Sequence, residues 1–117
     1  MPGLDEVRAR LRTFVAERDW EQFHTPKNLA ASVSIEAGEL LEQFQWTDPQ
    51  PAQVRSDPAW QARVEDELAD VALLTLLLSE RLGIPLEEAM LRKLARNAER
   101  YPAAQYKGSA RKAPDAR

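Results

Sequence analysis

The segment Val71–Leu78 constrains the fold of this chain more than any other feature. Its sequence, Val-Ala-Leu-Leu-Thr-Leu-Leu-Leu, places apolar side chains around the whole circumference of a helix. A helix that is apolar on every side is normally buried on every side. A chain of 117 residues forms one domain of ordinary size, and its few helices cannot completely surround one of their number. We therefore predict that a second copy of the chain covers this helix, so that the protein is a homo-oligomer.

Residue usage predicts an all-α fold. The chain contains 18 Ala and 15 Leu but only 6 Val and 2 Ile, and Ala and Leu favour helices whereas sheets are rich in β-branched residues. Thr25-Pro26 and Asp57-Pro58 each combine an N-cap residue with proline at the first helical position. The four predicted helices cover residues 4–18, 26–45, 58–82 and 85–101. We predict a four-helix, bundle-like domain over residues 1–102, with a linker over residues 48–51 and either a loop or a frayed turn from there to Ser56.

The remaining residues, 103–117, form a predicted basic tail. It is poor in apolar residues, which predicts a mobile segment. Its charged residues are Lys107, Arg111, Lys112, Asp115 and Arg117. The basic members either fold over a bound anion or remain solvated.

Charge and missing residue types exclude several classes of protein. Sixteen Lys and Arg against 19 Asp and Glu give a net charge of −3, which argues against a nucleic-acid-binding surface. The chain has no cysteine and one histidine, which excludes disulfides, thiolate catalysis and metal sites built from several imidazoles. Residues 71–79 are the longest charge-free apolar stretch, far short of the roughly 20 residues of a membrane span. The first residues lack the pattern of a signal peptide. We expect a cytoplasmic protein with neither nucleic acid nor membrane as a partner.

Two pairs of acidic residues lie beside the apolar faces of the second and third predicted helices. Glu36 falls within the inward stripe of the second helix with Glu39 one turn later, and Glu67 and Asp70 border the inward stripe of the third. Carboxylates gathered near a core repel one another and are costly to desolvate. A hard divalent cation such as Mg²⁺ relieves both costs, which predicts one metal site. The alternative is that these acids face solvent or pair with arginines, namely Arg63, Arg92 or Arg96.

The spacing of the two acid pairs supports a family resemblance. Glu36-Ala-Gly-Glu39 is followed, after 27 intervening residues, by Glu67-Leu-Ala-Asp70. This pattern resembles the paired-acid signature of the MazG-like superfamily of all-α nucleoside-triphosphate pyrophosphatases, and the chain is most similar to its dCTP pyrophosphatase branch. Further similar segments are RDWEQFH at 18–24, PKNL at 26–29, LEQFQW at 41–46, Lys93, NxxRYP at 97–102 and KGSA at 107–110.

The resemblance implies a Mg²⁺-dependent hydrolase, with Mn²⁺ as the alternative metal. It implies cleavage of a nucleoside triphosphate between the α- and β-phosphates, with dCTP or modified pyrimidine deoxynucleotides as leading substrates and nucleotide-pool sanitation as the role. Metal ligands would be Glu36, Glu39, Glu67 and Asp70. Either Glu39 or Glu36 would accept the proton of the attacking water. Relatives in this branch favour a tetramer, and a dimer is the alternative.

Eight further residues are candidates for substrate binding, namely Trp20, His24, Asn28, Trp46, Lys93, Asn97, Arg100 and Lys107. By resemblance the two tryptophans lie near the base, on which aromatic rings stack. His24 offers a hydrogen bond to a base edge, and Lys93 offers charge to the phosphates. Each residue also has a structural interpretation, in which the aromatic rings pack on the core and the lysine stem lies along its edge. Four residues after Asp70 some relatives have a tyrosine where this chain has Leu74, which leaves the base preference open.

Two other functions are compatible with a helical chain of this size. A di-iron carboxylate bundle uses Glu-x-x-His pairs, but the single histidine, His24, lies on a predicted loop. A non-catalytic helical module for oligomerisation or nucleotide binding would retain the acid pairs without turnover.

Overall fold

Helices form all the regular secondary structure of the computed structural model, which describes residues 1–114. The α-helices are α1 (Leu4–Glu17), α2 (Pro26–Glu42), α3 (Pro51–Arg55), α4 (Pro58–Arg81), α5 (Leu86–Arg100) and α6 (Ala103–Tyr106), and a 3₁₀ turn (Glu21–Phe23) precedes α2. The prediction of an all-α fold is confirmed. No helix of the described part is long and apolar enough to cross a bilayer. Asp115 and Arg117 of the predicted tail lie outside the described residues.

The four long helices correspond to the four predicted ones, and two short helices are added. The additional α3 lies where the sequence predicts the end of the linker and a loop or frayed turn. There the backbone N–H of Gln50 donates to Oε1 of Gln53 at 2.7 Å and closes a capping box. The second added helix, α6, lies at the start of the predicted tail. The predicted end of α2 is three residues too long, because the chain turns after Glu42.

Both residues that the sequence identifies as N-caps act as such. The Thr25 hydroxyl accepts from the backbone N–H of Asn28 at 3.1 Å, and Asp57 Oδ1 accepts from the backbone N–H of Trp60 at 3.1 Å. In each case the side chain satisfies a backbone donor that the first turn of a helix leaves without an intrahelical partner. These caps set the starting points of α2 and α4, the two helices that contain the acid pairs.

Helices α2 and α4 pack against each other as an antiparallel pair. Before the start of α2, the His24 carbonyl oxygen accepts a hydrogen bond from Nε of Arg81, the last residue of α4, at 3.1 Å. Just after the end of α2, the Gln43 carbonyl oxygen accepts from Nε1 of Trp60, near the start of α4, at 3.1 Å. Contacts at both ends therefore fix the register of the pair.

The chain divides into two compact units at Gly83. The first unit contains α1 to α4, and Arg12 of α1 forms a two-point ion pair with Glu80 of α4, with distances of 2.6 and 3.2 Å. The second unit begins at Ile84 and contains α5 and α6. Within it, the Tyr106 ring packs edge-on against Tyr101, with ring centroids 5.0 Å apart.

The buried apolar core is small. Among the described residues, the buried hydrophobic ones are Val15, Leu29, Leu76 and Ala113. Of the segment Val71–Leu78, only Leu76 is buried, and Ala72 is exposed. Large apolar residues of the first unit remain accessible, including Leu41 at 66% and Leu68 at 52% of full exposure. One copy of the chain thus leaves much of its apolar surface uncovered.

Candidate active site

Three acids from the two packed helices converge at one point. Glu36 lies on α2, and Glu67 and Asp70 lie on α4 one turn apart. One carboxylate oxygen from each lies within 4.8 Å of the others. Residues three apart on a helix share a face, and the antiparallel packing turns these faces toward each other. The convergence therefore follows from the acid spacing together with the register of α2 on α4.

Glu39 joins this group from the next turn of α2. Interaction with its carboxyl group raises the pKa of both Glu36 and Glu67, so Glu39 lies next to these two residues. The structure thus brings together three of the four acids that the sequence singles out, and the fourth, Glu39, lies beside them. Glu42, which lies three residues beyond Glu39, is exposed and lies outside the converging group. No ion pair joins any of the four to an arginine within residues 1–114, and Arg92 approaches Glu88 instead, at 3.9 Å.

The crowding of carboxylates changes their acidity. The hydrogen bond with Glu39 is the main cause that raises the pKa of Glu36 from 4.5 to about 7, and desolvation and the nearby negative charges add to it. Burial, followed by the charge of Glu39, raises the pKa of Glu67. Both effects are those expected when like charges share a partly desolvated site. In the absence of a cation, Glu36 therefore exchanges a proton near neutral pH.

Two carboxylate oxygens in this group are inaccessible to water and unpaired. Oε2 of Glu36 and Oε2 of Glu67 have no hydrogen-bond partner among the described residues. A buried polar atom without a partner is costly and uncommon in proteins. An all-oxygen, negatively charged donor set suits a hard divalent cation, which would satisfy both atoms. The residues present therefore fit the metal that the sequence analysis predicts.

Three of the candidate substrate-binding residues, Trp20, His24 and Asn28, lie in the segment between α1 and α2 or in the first turn of α2. The Trp20 ring packs edge-on against Phe14 with centroids 5.5 Å apart, and Trp20 is 44% exposed. The Asn28 side-chain amide donates to the Phe23 carbonyl oxygen at 3.0 Å. It thereby holds the 3₁₀ turn in place. His24 is partly buried. These contacts give Asn28 a structural role in shaping this segment.

His24 also lines a cavity of about 360 Å³ at the α1 side of this segment. Apolar atoms of Val15 and Leu77 lie in its wall, together with two arginines that are paired to acids. One is the Arg12–Glu80 pair described above, and the other joins Arg81 to Glu21 at 2.7 Å. The positive charges of this cavity are therefore already neutralised by neighbouring carboxylates.

The other five candidates lie in the turn after α2 and in the second unit. Trp46 projects from the turn and is 87% exposed. Lys93 and Asn97 lie on α5, where Lys93 is exposed and Asn97 is partly buried. The Arg100 guanidinium carbon lies 5.7 Å from the centre of the Tyr101 ring, and Arg100 Nε is buried without a partner among the described residues. The fifth, Lys107, is exposed.

Arg63 lies near the acids, and the sequence suggests it only as an ion-pair partner for them. Arg63 precedes Glu67 by one turn of α4, and its Nε donates to Oε1 of Gln43 at 3.1 Å. The i, i+4 spacing from Glu67 is the sequence signal that places it on the acid-bearing face. Its partner is the neutral side-chain amide of Gln43 at the end of α2. This pairing depends on the register of α2 on α4, so no local sequence pattern predicts it.

Comparisons with known proteins agree on one family. Residues 31–115 match the model of the MazG-like family. The dCTP pyrophosphatase 1 of Mus musculus is 40% identical over 115 residues, which cover 97% of this chain and 68% of the mouse protein. The Homo sapiens protein of the same name is 42% identical over 112 residues, or 95% of this chain and 66% of the human protein. A pyrophosphatase from Archaeoglobus fulgidus has a similar structure, with a TM-score of 0.77 and 40% identity over 87% of this chain and 94% of the archaeal chain.

The raised pKa of Glu36 predicts how pH affects the metal-free protein. Because this pKa is about 7 in the folded state and 4.5 ordinarily, the folded state binds the proton more tightly than the unfolded state does. The resulting stabilisation is fully present below pH 4.5 and is lost as the pH rises through about 7. Glu36→Gln keeps the shape and does not titrate. In a chelator, the melting temperature of Glu36→Gln should therefore rise relative to that of the wild type as the pH increases across this range. Melting temperatures that change with pH in the same way in both proteins would contradict the assignment.

Proposed function

The chain belongs to the MazG-like family and is a nucleotide pyrophosphatase, and on this premise we propose that it hydrolyses dCTP or modified pyrimidine deoxynucleoside triphosphates. The products are the monophosphate and pyrophosphate, and the role is sanitation of the cytoplasmic deoxynucleotide pool. The observation that supports this most directly is the convergence of Glu36, Glu67 and Asp70, with Glu39 beside them and two unpaired carboxylate oxygens. It occurs in a chain 40% identical to dCTP pyrophosphatase 1 over nearly its whole length.

The proposed metal ligands are the four converging acids, Glu36, Glu39, Glu67 and Asp70. When bound there, Mg²⁺ or Mn²⁺ neutralises phosphate charge and lowers the pKa of water. The unpaired Oε2 atoms of Glu36 and Glu67 are the oxygens most in need of a cation. Their positions on two different helices support a metal site between α2 and α4.

The proposed general base is Glu39 or Glu36. A water oxygen attacks the α-phosphorus, and the bond to the bridging oxygen breaks, so that the electron pair leaves with pyrophosphate. The water proton passes to a carboxylate of the hydrogen-bonded Glu36–Glu39 pair. Both residues are carboxylates one turn apart on α2, and the one that the metal does not saturate can act as the general base.

The proposed substrate contacts are the eight candidate residues named from the sequence. Trp20, His24 and Trp46 are proposed for the base, and the 87% exposure of Trp46 leaves its ring free to stack. Asn28 shapes the segment that contains the first two of these residues. The proposed sugar and phosphate contacts are Lys93, Asn97, Arg100 and Lys107.

We also propose that the enzyme is a homo-oligomer, a tetramer in preference to a dimer. The incompletely covered segment Val71–Leu78 and the exposed Leu41 and Leu68 support this proposal, since one copy leaves these apolar residues accessible to water. Burying apolar surface contributes about 25 cal/mol for each Å², so an interface that covers α4 is favourable.

A panel of dNTPs and NTPs, with products separated by chromatography, tests the activity. We expect dCTP and its 5-substituted analogues to turn over fastest and to yield monophosphate and pyrophosphate in equal amounts. No turnover should occur after chelation of divalent cations. Release of orthophosphate would contradict cleavage between the α- and β-phosphates.

Substitution of the acids tests the metal site. Glu36→Gln, Glu39→Gln, Glu67→Gln and Asp70→Asn each remove a charge but retain shape. We expect each to lower kcat/KM by orders of magnitude, because residues that act as a unit lose function together. Glu42→Gln is the matched control, since it removes the same charge from the same helix outside the group, and a mild effect is expected. If Glu42→Gln is as damaging as Glu39→Gln, the metal lies a turn further along α2.

Analytical ultracentrifugation tests the assembly. We expect a species near four times the chain mass of 13.3 kDa at micromolar concentration. Leu68→Glu should shift the distribution toward smaller species because it places a charge in the apolar surface to be buried, and the exposed position of Glu65 supplies a control variant, Glu65→Gln. A wild-type monomer at these concentrations would refute the proposal.

A further inference from the structure

Arg63 and Gln43 extend the two rows of acids by one helical turn. Arg63 precedes Glu67 by four residues on α4, and Gln43 follows Glu39 by four residues at the end of α2. Side chains four apart on a helix are neighbours, with Cβ atoms about 5–6 Å apart. The two residues therefore lie beside the acid group, at the end of the helix pair where α2 ends and α4 begins.

The guanidinium of Arg63 is held by a neutral partner. Its Nε donates to Gln43 Oε1 at 3.1 Å, and the carbonyl oxygen of Gln43 is itself fixed by Trp60 Nε1 at 3.1 Å. Two arginines near the other end of the α2–α4 pair have charged partners instead. Arg12 is paired to the Glu80 carboxylate at 2.6 Å, and Arg81 is paired to that of Glu21 at 2.7 Å. The charge of Arg63 is thus oriented by its neighbours but is not neutralised by them.

The two terminal nitrogens of Arg63 have no partner among residues 1–114, and the residue is exposed. With Nε occupied by Gln43, Nη1 and Nη2 remain as a planar pair of donors. Such a pair matches two oxygens of a phosphate group, and charge-assisted bidentate contacts of this kind are the strong ones. An arginine fixed in this way beside a site for phosphate-bound metal has the chemistry of an anion subsite.

We propose that Arg63 binds the β- and γ-phosphates of the substrate, the part that leaves as pyrophosphate. This inference rests on the proposed function. With the α- and β-phosphates at the acids, the triphosphate continues along α4 for one turn, about 5.4 Å, to reach the guanidinium. There Arg63 stabilises the negative charge that develops on the leaving group when the bond to the α-phosphorus breaks.

Titration calorimetry with Mg²⁺ and inorganic pyrophosphate tests this subsite without turnover. We expect Arg63→Gln to weaken pyrophosphate binding by about ten- to a hundredfold, the range of a lost hydrogen bond to a charged group. Arg63→Lys keeps the charge but loses the planar pair of N–H donors. Its affinity for pyrophosphate should therefore lie between that of the wild type and that of Arg63→Gln. Binding of dCMP, which lacks these phosphates, should be unchanged in both variants. Arg10→Gln, at an 81% exposed side chain on α1, is the control.

The outcomes separate this inference from the proposed function. Equal pyrophosphate affinity in wild type, Arg63→Lys and Arg63→Gln overturns the role of Arg63, even if the enzyme hydrolyses dCTP. A parallel loss of pyrophosphate and dCMP affinity also overturns it, because that pattern indicates general damage to the helix pair. If Arg63→Gln does not fold, the comparison of Arg63→Lys with wild type decides. Failure of wild type to hydrolyse any nucleoside triphosphate refutes the proposed function, whatever the calorimetry shows.

Discussion

Mutual repulsion among carboxylates at the interface of α2 and α4 is the constraint on which the structure depends. This interface is the most extensive helix contact within the first unit, and its centre holds carboxylate oxygens within 4.8 Å of one another. The raised pKa of Glu36 and the unpaired oxygens of Glu36 and Glu67 both follow from this crowding. A cation bound at the proposed site would turn the same arrangement into an attraction on both helices, which would couple metal binding to the packing of this pair.

Such an interface needs anchors elsewhere to hold its register. At one end Arg81 donates to the His24 carbonyl oxygen, and at the other Trp60 donates to that of Gln43. Neither of these hydrogen bonds involves the clustered acids or a metal ion. A shift of α2 along α4 by one turn would move Glu36 by about 5.4 Å. The candidate metal ligands on the two helices would then no longer lie together. The hydrogen bonds at the ends thus allow an unfavourable centre to persist in a defined geometry.

The parts of the fold that local sequence determines were predictable. Proline after a capping residue gave the starts of α2 and α4, and the three-residue acid spacing gave the faces on which the carboxylates lie. The short α3 was missed because its helix signal is a reciprocal contact between Gln50 and Gln53, two residues of ordinary helix propensity. The orientation of Arg63 was not predictable, since the sequence permits a partner on either helix. Only the register of the pair selects Gln43 over the nearby acids.

Helix α4 contributes both to the candidate site and to the surface of the proposed oligomer. Its first half presents Glu67 and Asp70 to α2, while its second half contains the apolar segment Val71–Leu78, of which one copy buries only Leu76. Movement of the second half relative to its neighbours would shift Asp70, which is adjacent to Val71 in the same helix. In the proposed oligomer, the contacts that cover the segment would hold this part of α4 in place next to Asp70. A site built from charges that repel one another benefits from such external support, because the small core of a single copy supplies little of it.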